Sequence, residues 1–472
     1  MVPQPALVFA GQYLYSSRME KRSARLTQGS VGRHLVNMTL PMLFGITTMM
    51  AQAFIDTWFL GQVGDRALAA YSFGFPILMI VISVAIGLGA GTSSVVARAI
   101  GSDDHARARR LSTDGLILSL LISIVCTVVG LLTIDPLFAA LGAPADMMPM
   151  IRPFMTILYA AVPFIMLGMV GTASMRATGD TLLPGKLMIA SAILNVVLDP
   201  IFIFGFGPIP ELGLNGAAIA GLLSRGVFFC TGIWYLRYRL DLVTFGRPDP
   251  VELRRSWRDV LHVGLPAAGT NVIVPMGLTL VTAMIADYGP KAVAGFGVAS
   301  RIESLMLVPY YALSAIIGPF VGQNLSALRE ERILLSLRLG AIFCIASGLI
   351  FAGFLALASD FLPRLFSDSP DVIDVTRSFL WIAPIGYGAY GIVMYVNAAF
   401  NGLGKPLPGV AVSVMRIVVL YIPLALAGKA LFGYVGIFAA YALANLLSGA
   451  IGYVWAQVVV RRLFEPARAL GT

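Results

Sequence analysis

Charge is scarce in this sequence. Asp, Glu, Lys and Arg make up 12% of the 472 residues and hydrophobic residues 58%, where a typical soluble domain is about 25% charged. That excludes a soluble globular chain and leaves a polytopic membrane protein, whose spanning helices each need about 20 apolar residues. Cysteine is scarce too. Cys126, Cys230 and Cys344 lie in apolar runs, with no disulfide framework and no metal-ligand spacing, and so read as packed thiols. The three histidines, His34, His105 and His262, fall at span ends or in loops. There is no Ser/His/Asp set, no HExxH helix and no metal cluster, so neither an enzyme nor a metal or cofactor site is expected. The chain lacks a Walker loop, which rules out ATP as its own energy source. Gly87-Leu-Gly-Ala-Gly91 sits inside a spanning run with no strand before it, and reads as small residues for close helix packing. No cleavable signal stands out: Val2 to Ala10 is mildly apolar, but Arg18 to Arg25 follows where a cleavage site would be.

What is there is a series of apolar runs. Twelve candidate spans lie at about 35–60, 71–97, 115–134, 150–174, 187–206, 214–236, 259–286, 296–320, 333–358, 376–400, 409–428 and 433–460. Breaks rich in Gly, Pro or charge separate them, such as Gly61-Gln-Val-Gly-Asp65. The net charge of +9 reflects basic loops rather than a nucleic-acid surface: 24 of the 33 Lys and Arg fall in the termini and the even-numbered loops. Basic loops stay on the cytoplasmic side, so both termini are expected there, in an inner (plasma) membrane. The predicted organisation is a cytoplasmic segment 1–34, an N-lobe 35–236, a cytoplasmic linker 237–258, a C-lobe 259–460 and a cytoplasmic tail 461–472.

The lobes read as a repeat. A shift of 225 brings Leu40-Pro41 onto Leu265-Pro266 and Gly64-Asp-Arg-Ala-Leu-Ala69 onto Gly289-Pro-Lys-Ala-Val-Ala294. Gly179-Asp-Thr-Leu-Leu-Pro-Gly185 resembles Gly404-Lys-Pro-Leu-Pro-Gly409 with one deletion, and Gly216-Ala-Ala-Ile-Ala220 resembles Gly436-Ile-Phe-Ala-Ala440. Six spans per half is an even number, so both halves insert the same way up. The expected fold is an all-α membrane protein of twelve transmembrane helices, in two six-helix lobes related by a pseudo-twofold axis along the membrane normal. Some secondary transporters follow this plan, with a substrate path between the halves.

The repeat is broken at two acids. Asp56 maps onto Val281 and Asp199 maps near Leu424, so the fold does not require the carboxylates. A charge at the bilayer centre costs roughly 2.5–3.5 kcal/mol on insertion scales, and such a residue usually faces a water-filled cavity or a partner. Gln52 lies one turn before Asp56 and Asn195 one turn before Asp199, each on the same helix face. Pro200 removes a backbone donor and disfavours helical geometry at Asp199, so a bend is expected there. Two carboxylates in an apolar setting resist being charged together. Asp56 and Asp199 are therefore read as a proton site, with Asn195 and Gln52 bonding either state or joining a sodium site. The structural alternative has Asp199 capping a broken helix and Asp56 at the water interface.

Glu303 is the other intramembrane acid of interest. It is read as half of a buried pair with Arg301, with Arg416 as the other possible partner, or as a substrate or coupling residue. Met50, Phe54, Met166 and Met169 suit a soft, adaptable substrate pocket; ordinary core or lipid-facing packing is the plainer reading of each.

Together these residues resemble the multidrug and toxic compound extrusion (MATE) transporters over roughly residues 33–460. The carriers are Leu40-Pro41, Asp56-Thr-Trp-Phe-Leu-Gly61, Ala67-Leu-Ala-Ala70, Gly179-Asp-Thr and Asn195-x-x-x-Asp199-Pro200. Further carriers are Gly295 to Glu303, Gly322-Gln-Asn324 and Gly402-Leu-Gly-Lys405. The chain is similar to the DinF-type branch, which keeps its coupling carboxylates in the N-lobe. NorM-type members also use acids in spans 7 and 10, and here span 7 has none. Some relatives place a threonine in span 6 where Ala220-Gly221 stands, which favours protons over sodium. The resemblance implies a V-shaped pair of lobes, alternating access, and export of organic cations or amphipathic compounds; with the acid pair, the expectation is proton-coupled antiport by a monomer among membrane lipids. Sodium coupling is the alternative ion. A flippase for a lipid-linked precursor is the nearest rival, and the few intramembrane cations, Arg225, Arg301 and Arg416, argue against its pyrophosphate-binding cavity.

Overall fold

Among the residues described by the computed structural model (25–244, 246 and 249–469), the chain is all helix apart from one isolated bridge, Phe206–Ile209. The first half contributes α1 (Val31–Val63), α2 (Asp65–Gly101), α3 (His105–Leu132), α4 (Met148–Ala177), α5 (Leu182–Ile203) and α6 (Gly213–Tyr238). The second half begins with α7 (Pro250–Ala286) and a bent span α8, made of Pro290–Met306 and Val308–Ser326 at 44°. It continues with α9 (Glu330–Ala358) and α10 (Pro370–Gly402). The last run, Pro406–Pro466, is 61 residues long, about three times the ~20 that cross a bilayer. It reverses direction at Gly433, whose φ of 64° breaks the helix. The reversal brings Gly428 and Gly436 backbone to backbone, where a Cβ on Gly436 would lie 2.0 Å from the Gly428 carbonyl oxygen. The two arms, 406–432 and 434–466, are α11 and α12. By length and composition, ten helices among the described residues could cross a membrane, or eleven with the bent pair taken as one span, against the twelve expected from the sequence.

The helices overrun the apolar runs at both ends, because a spanning helix continues into the polar headgroup zone. The predicted tail 461–472 is helical as far as 469, and the predicted segment 1–34 already enters α1 at Val31. The expected absence of a signal before Arg25 lies outside the described residues. Helix enters both ends of the predicted linker 237–258: α6 ends at Tyr238, and α7 starts at Pro250 with the Asp249 carboxylate capping the Val251 N–H at 3.0 Å. Pro200 does not end the helix: α5 stays helical to Ile203. Pro200 sits in the last turn, where the missing N–H frees only one carbonyl.

The repeat recurs in backbone geometry. Left-handed residues pair across the same shift of 225: Gly64 with Gly289, Gly179 with Gly404, and Asp103 (φ 60°) with Leu328 (φ 55°). An ion pair repeats as well. Arg66 bonds Asp146 in the first half and Lys291 bonds Asp371 at 2.6 Å in the second. Positions that carry no shared chemistry keep the same turn because the same helix–helix corner is built twice.

Each half holds its own apolar core. One cluster spans the second half, around Tyr310, Phe320, Tyr387 and Phe400, and two occupy the first, around Val96 and Met175 and around Phe138 and Met155. α1 belongs to both: Leu35, Met38 and Met42 join the second-half cluster and Leu60 joins the first. At the basic end of the bundle the halves are tied by hydrogen bonds. Gln323 of α8 donates to the Ala177 carbonyl of α4 and accepts from the Leu26 N–H at 3.2 Å, and Arg332 of α9 holds the carbonyls of Leu26, Gln28 and Gly29.

Candidate functional site

The four predicted coupling residues meet inside the first half. Asn195 and Asp199 are 2% and 1% exposed on the inner face of α5, while Ile193 and Val197, on its other face, are more than half exposed. The helix is thus amphipathic in the membrane sense, with its polar stripe turned inward. α1 supplies the partners at compatible height. Gln52 donates to Asn195 Oδ1 and, at 3.4 Å, to Asp56 Oδ2, and Asn195 Nδ2 donates to Asp199 Oδ1 at 3.3 Å. The Asp56 and Asp199 carboxyls lie within hydrogen-bonding reach of each other. One oxygen on each, Asp56 Oδ1 and Asp199 Oδ2, is buried without a partner. A buried acceptor left unsatisfied is costly, so this pair is incomplete without a proton or a cation. Two carboxyls and two carboxamides offer hard oxygen ligands. No group of three or more His, Cys, Asp or Glu suited to a metal ion occurs among the described residues.

Two residues of this neighbourhood were not legible as site members. The Arg225 guanidinium of α6 is near enough for its charge to act on both carboxyls and on Tyr71 of α2. Arg225 was visible in the sequence as an intramembrane cation, but nothing in its spacing tied it to Asp56. Tyr71 carried no signal at all.

The other candidates disperse. Glu303 lies in the second half, where it accepts from the Tyr441 hydroxyl at 2.7 Å. The expected pair with Arg301 does not form, because Arg301 turns to the exposed face of α8. Arg416 is the cation whose charge reaches Glu303. It is itself buried, bonded to Asn445 Oδ1 at 3.1 Å and stacked over Tyr390 at 4.4 Å, in a π-helical stretch, Met415–Tyr421. Met166 is fully buried in a first-half core cluster, and Met169 packs against the same cluster. Phe54 is 47% exposed and Met50 partly so. The four therefore do not line one open surface in this state: Met166 fills core volume.

A two-lobed bundle of spanning helices, with a carboxyl pair in one lobe and none in the matching place of the other, is the architecture of a secondary transporter. The MatE family profile matches residues 41–201 and 266–427, two segments that begin 225 apart. The chain belongs to this family, the MATE transporters of multidrug efflux, which are membrane carriers and not enzymes. It is 36% identical over 444 residues to a protein of Shewanella oneidensis named FAD transporter, covering 94% of this chain and 97% of that one. It is 25% identical to the probable multidrug resistance protein YoeA of Bacillus subtilis, covering 92% and 96%. Among solved structures it is similar to the Vibrio cholerae MATE transporter VcmN in the bent form, with a TM-score of 0.88, 30% identity and coverage of 92% and 98%.

Proposed function

We propose that the protein is a proton-coupled exporter of amphipathic small molecules, organic cations among them, working by alternating access as a monomer in an inner (plasma) membrane with both termini cytoplasmic. Residues 35–236 and 259–460 act as the two moving lobes. The observation that carries this reading is the Asp56–Asp199 pair, each carboxyl with one unpartnered buried oxygen, present in one half of a repeated scaffold. Facing outward, the pair takes up a proton. Its charge and its hydrogen bonds to Gln52 and Asn195 change together, α1 shifts against α5, and substrate leaves the first lobe. Facing inward, the proton departs and substrate binds again. Sodium is the alternative coupling ion at the same four residues. Lipid-linked precursors are the alternative cargo.

The test is efflux of ethidium from proteoliposomes under an imposed pH gradient and then an imposed sodium gradient, wild type beside Asp199→Asn. Export driven by the pH gradient and lost in the variant supports the reading. Export driven by sodium alone turns the pair into a cation site, and indifference to both gradients removes the antiporter. The Shewanella relative named FAD transporter favours a second cargo, FAD, which the same vesicles test directly.

A further inference from the structure

We propose that Arg416, Asn445 and Tyr387 form a site in the second lobe for the carboxylate of an amphipathic cargo molecule. The inference rests on the exporter reading above and names a chemical class of cargo and a second place that holds it.

Three donors from three helices meet there without an acceptor. Arg416 Nε of α11, Asn445 Nδ2 of α12 and the Tyr387 hydroxyl of α10 have no hydrogen-bond partner. The three residues are 5%, 1% and 0% exposed. Direct contacts bring them together. Arg416 Nη1 donates to Asn445 Oδ1 at 3.1 Å, and the guanidinium lies over the Tyr390 ring at 4.4 Å. Tyr390 stands one turn from Tyr387 on the same face of α10. A Cβ added at Gly386, the neighbour of Tyr387, would lie 3.2 Å from Asn445 Cβ.

Buried donors left without an acceptor are costly, and an unpaired buried charge more so. Water fits the place poorly, because it accepts at two lone pairs and brings two protons that need acceptors of their own. A carboxylate accepts at about four lone-pair sites, brings no proton and matches the charge of Arg416. Glu303 does not fill the role. The Tyr441 hydroxyl holds it at 2.7 Å, and among the described residues no ion pair within 4.0 Å joins it to Arg416. Tyr441 and Asn445 lie ~6 Å apart along α12, so the acid and the guanidinium are each held by a separate turn. A cargo with a cationic part beyond its carboxylate meets both charges in the right order.

The scaffold does not require these polar groups. By the shift of 225, Tyr387 matches Val162, and with the one deletion Arg416 matches Ala192. Both are apolar and 1% exposed. The first half packs methyl groups where the second buries a phenol and a guanidinium. Arg416 also lies in the π-helical stretch Met415–Tyr421, and such wide turns are rare and concentrate at functional sites.

The test is equilibrium binding to the purified full chain, followed by fluorescence anisotropy, of rhodamine B and of rhodamine B ethyl ester. Both carry the same cationic ring system, and only the first has a free carboxylate. Wild type should prefer the free acid by roughly tenfold or more, and Arg416→Gln should bind the two dyes alike. Wild type that shows no preference overturns the proposal, and so does a folded Arg416→Gln that keeps it. If Arg416→Gln does not fold, Tyr387→Phe decides. It removes a hydroxyl that has no partner, so the melting temperature should hold or rise while the preference falls by roughly threefold or more. An unchanged preference in Tyr387→Phe overturns the proposal. No gradient is applied, so this result is independent of coupling: ethidium efflux that ignores the pH gradient defeats the proton reading and leaves the carboxylate site standing.

Discussion

Gln323 donates to the Ala177 carbonyl at 2.7 Å, joining the end of α8 in one half to the end of α4 in the other. The same side chain accepts from the Leu26 N–H, so one carboxamide closes the basic end of the bundle. Gln323→Ala leaves two buried backbone groups unsatisfied, at about 1–3 kcal/mol each. The expected result is a population shift towards opening at that end, read as faster labelling of a cysteine placed at Ala97. Unchanged labelling would mean that apolar packing alone holds the gate.

Asp199→Asn preserves size and hydrogen bonding but cannot titrate. A ligand drives a conformational change only through its different affinity for the two states, and this variant removes that difference for protons. Export under a pH gradient should fall to background while thermal stability is kept or raised. Residual gradient-driven export would place coupling elsewhere.

Gly436→Ala puts a methyl 2.0 Å from the Gly428 carbonyl oxygen. Overpacking of this kind costs about 1–3 kcal/mol, so the melting temperature in detergent should drop by several degrees. Gly353→Ala is the control. Nothing lies within 4 Å of its new Cβ, and helix propensity should raise stability by up to ~1 kcal/mol. Equal effects at the two positions would contradict the close approach at the α11–α12 reversal.

Lys291 and Asp371 pair at 2.6 Å but are 66% and 62% exposed. Exposed pairs contribute about 0–1 kcal/mol. Lys291→Ala, and Arg66→Ala at the repeated position, should each change stability by less than ~1 kcal/mol. A larger loss from either, measured by thermal unfolding, would show that the repeated corner depends on its ion pair rather than on its turn.

Glu303→Gln keeps an acceptor for Tyr441 and should leave export under a pH gradient working. Glu303→Leu leaves the hydroxyl without its partner, at about 1–3 kcal/mol, and should lower the melting temperature. Loss of gradient-driven export in Glu303→Gln would give the second lobe a coupling role.

The repeat and the Asp56–Asp199 pair could be read from the sequence because both rest on spacing. The shift of 225 sets Asp56 opposite Val281 and Asp199 near Leu424, which marks the two acids as belonging to one half only. Relationships that depend on side-chain reach could not. Arg225 folds its guanidinium back over Gly221, and Glu303 passes over Arg301, two residues away, for Tyr441 on α12. Nor does composition distinguish Met166, sealed in a core, from Met50 at a partly open surface. In a membrane protein both environments are apolar, so hydropathy carries no information about which side of a helix is packed.

α1 has one end in each hydrophobic core, with Met42 among second-half residues and Leu60 among first-half ones. The covalent link 239–249 is therefore not what keeps the halves together. A chain cut within that stretch and made as two pieces should reassemble in the bilayer, because the first piece carries a helix whose burial is completed only by the second. The same dual membership means that rocking one half against the other must shear α1 along its length. α7 shares that placement, with Val260 in a first-half cluster and Val281 in the second-half one, so relative motion of the two bodies acts on both helices, of which α1 bears Asp56.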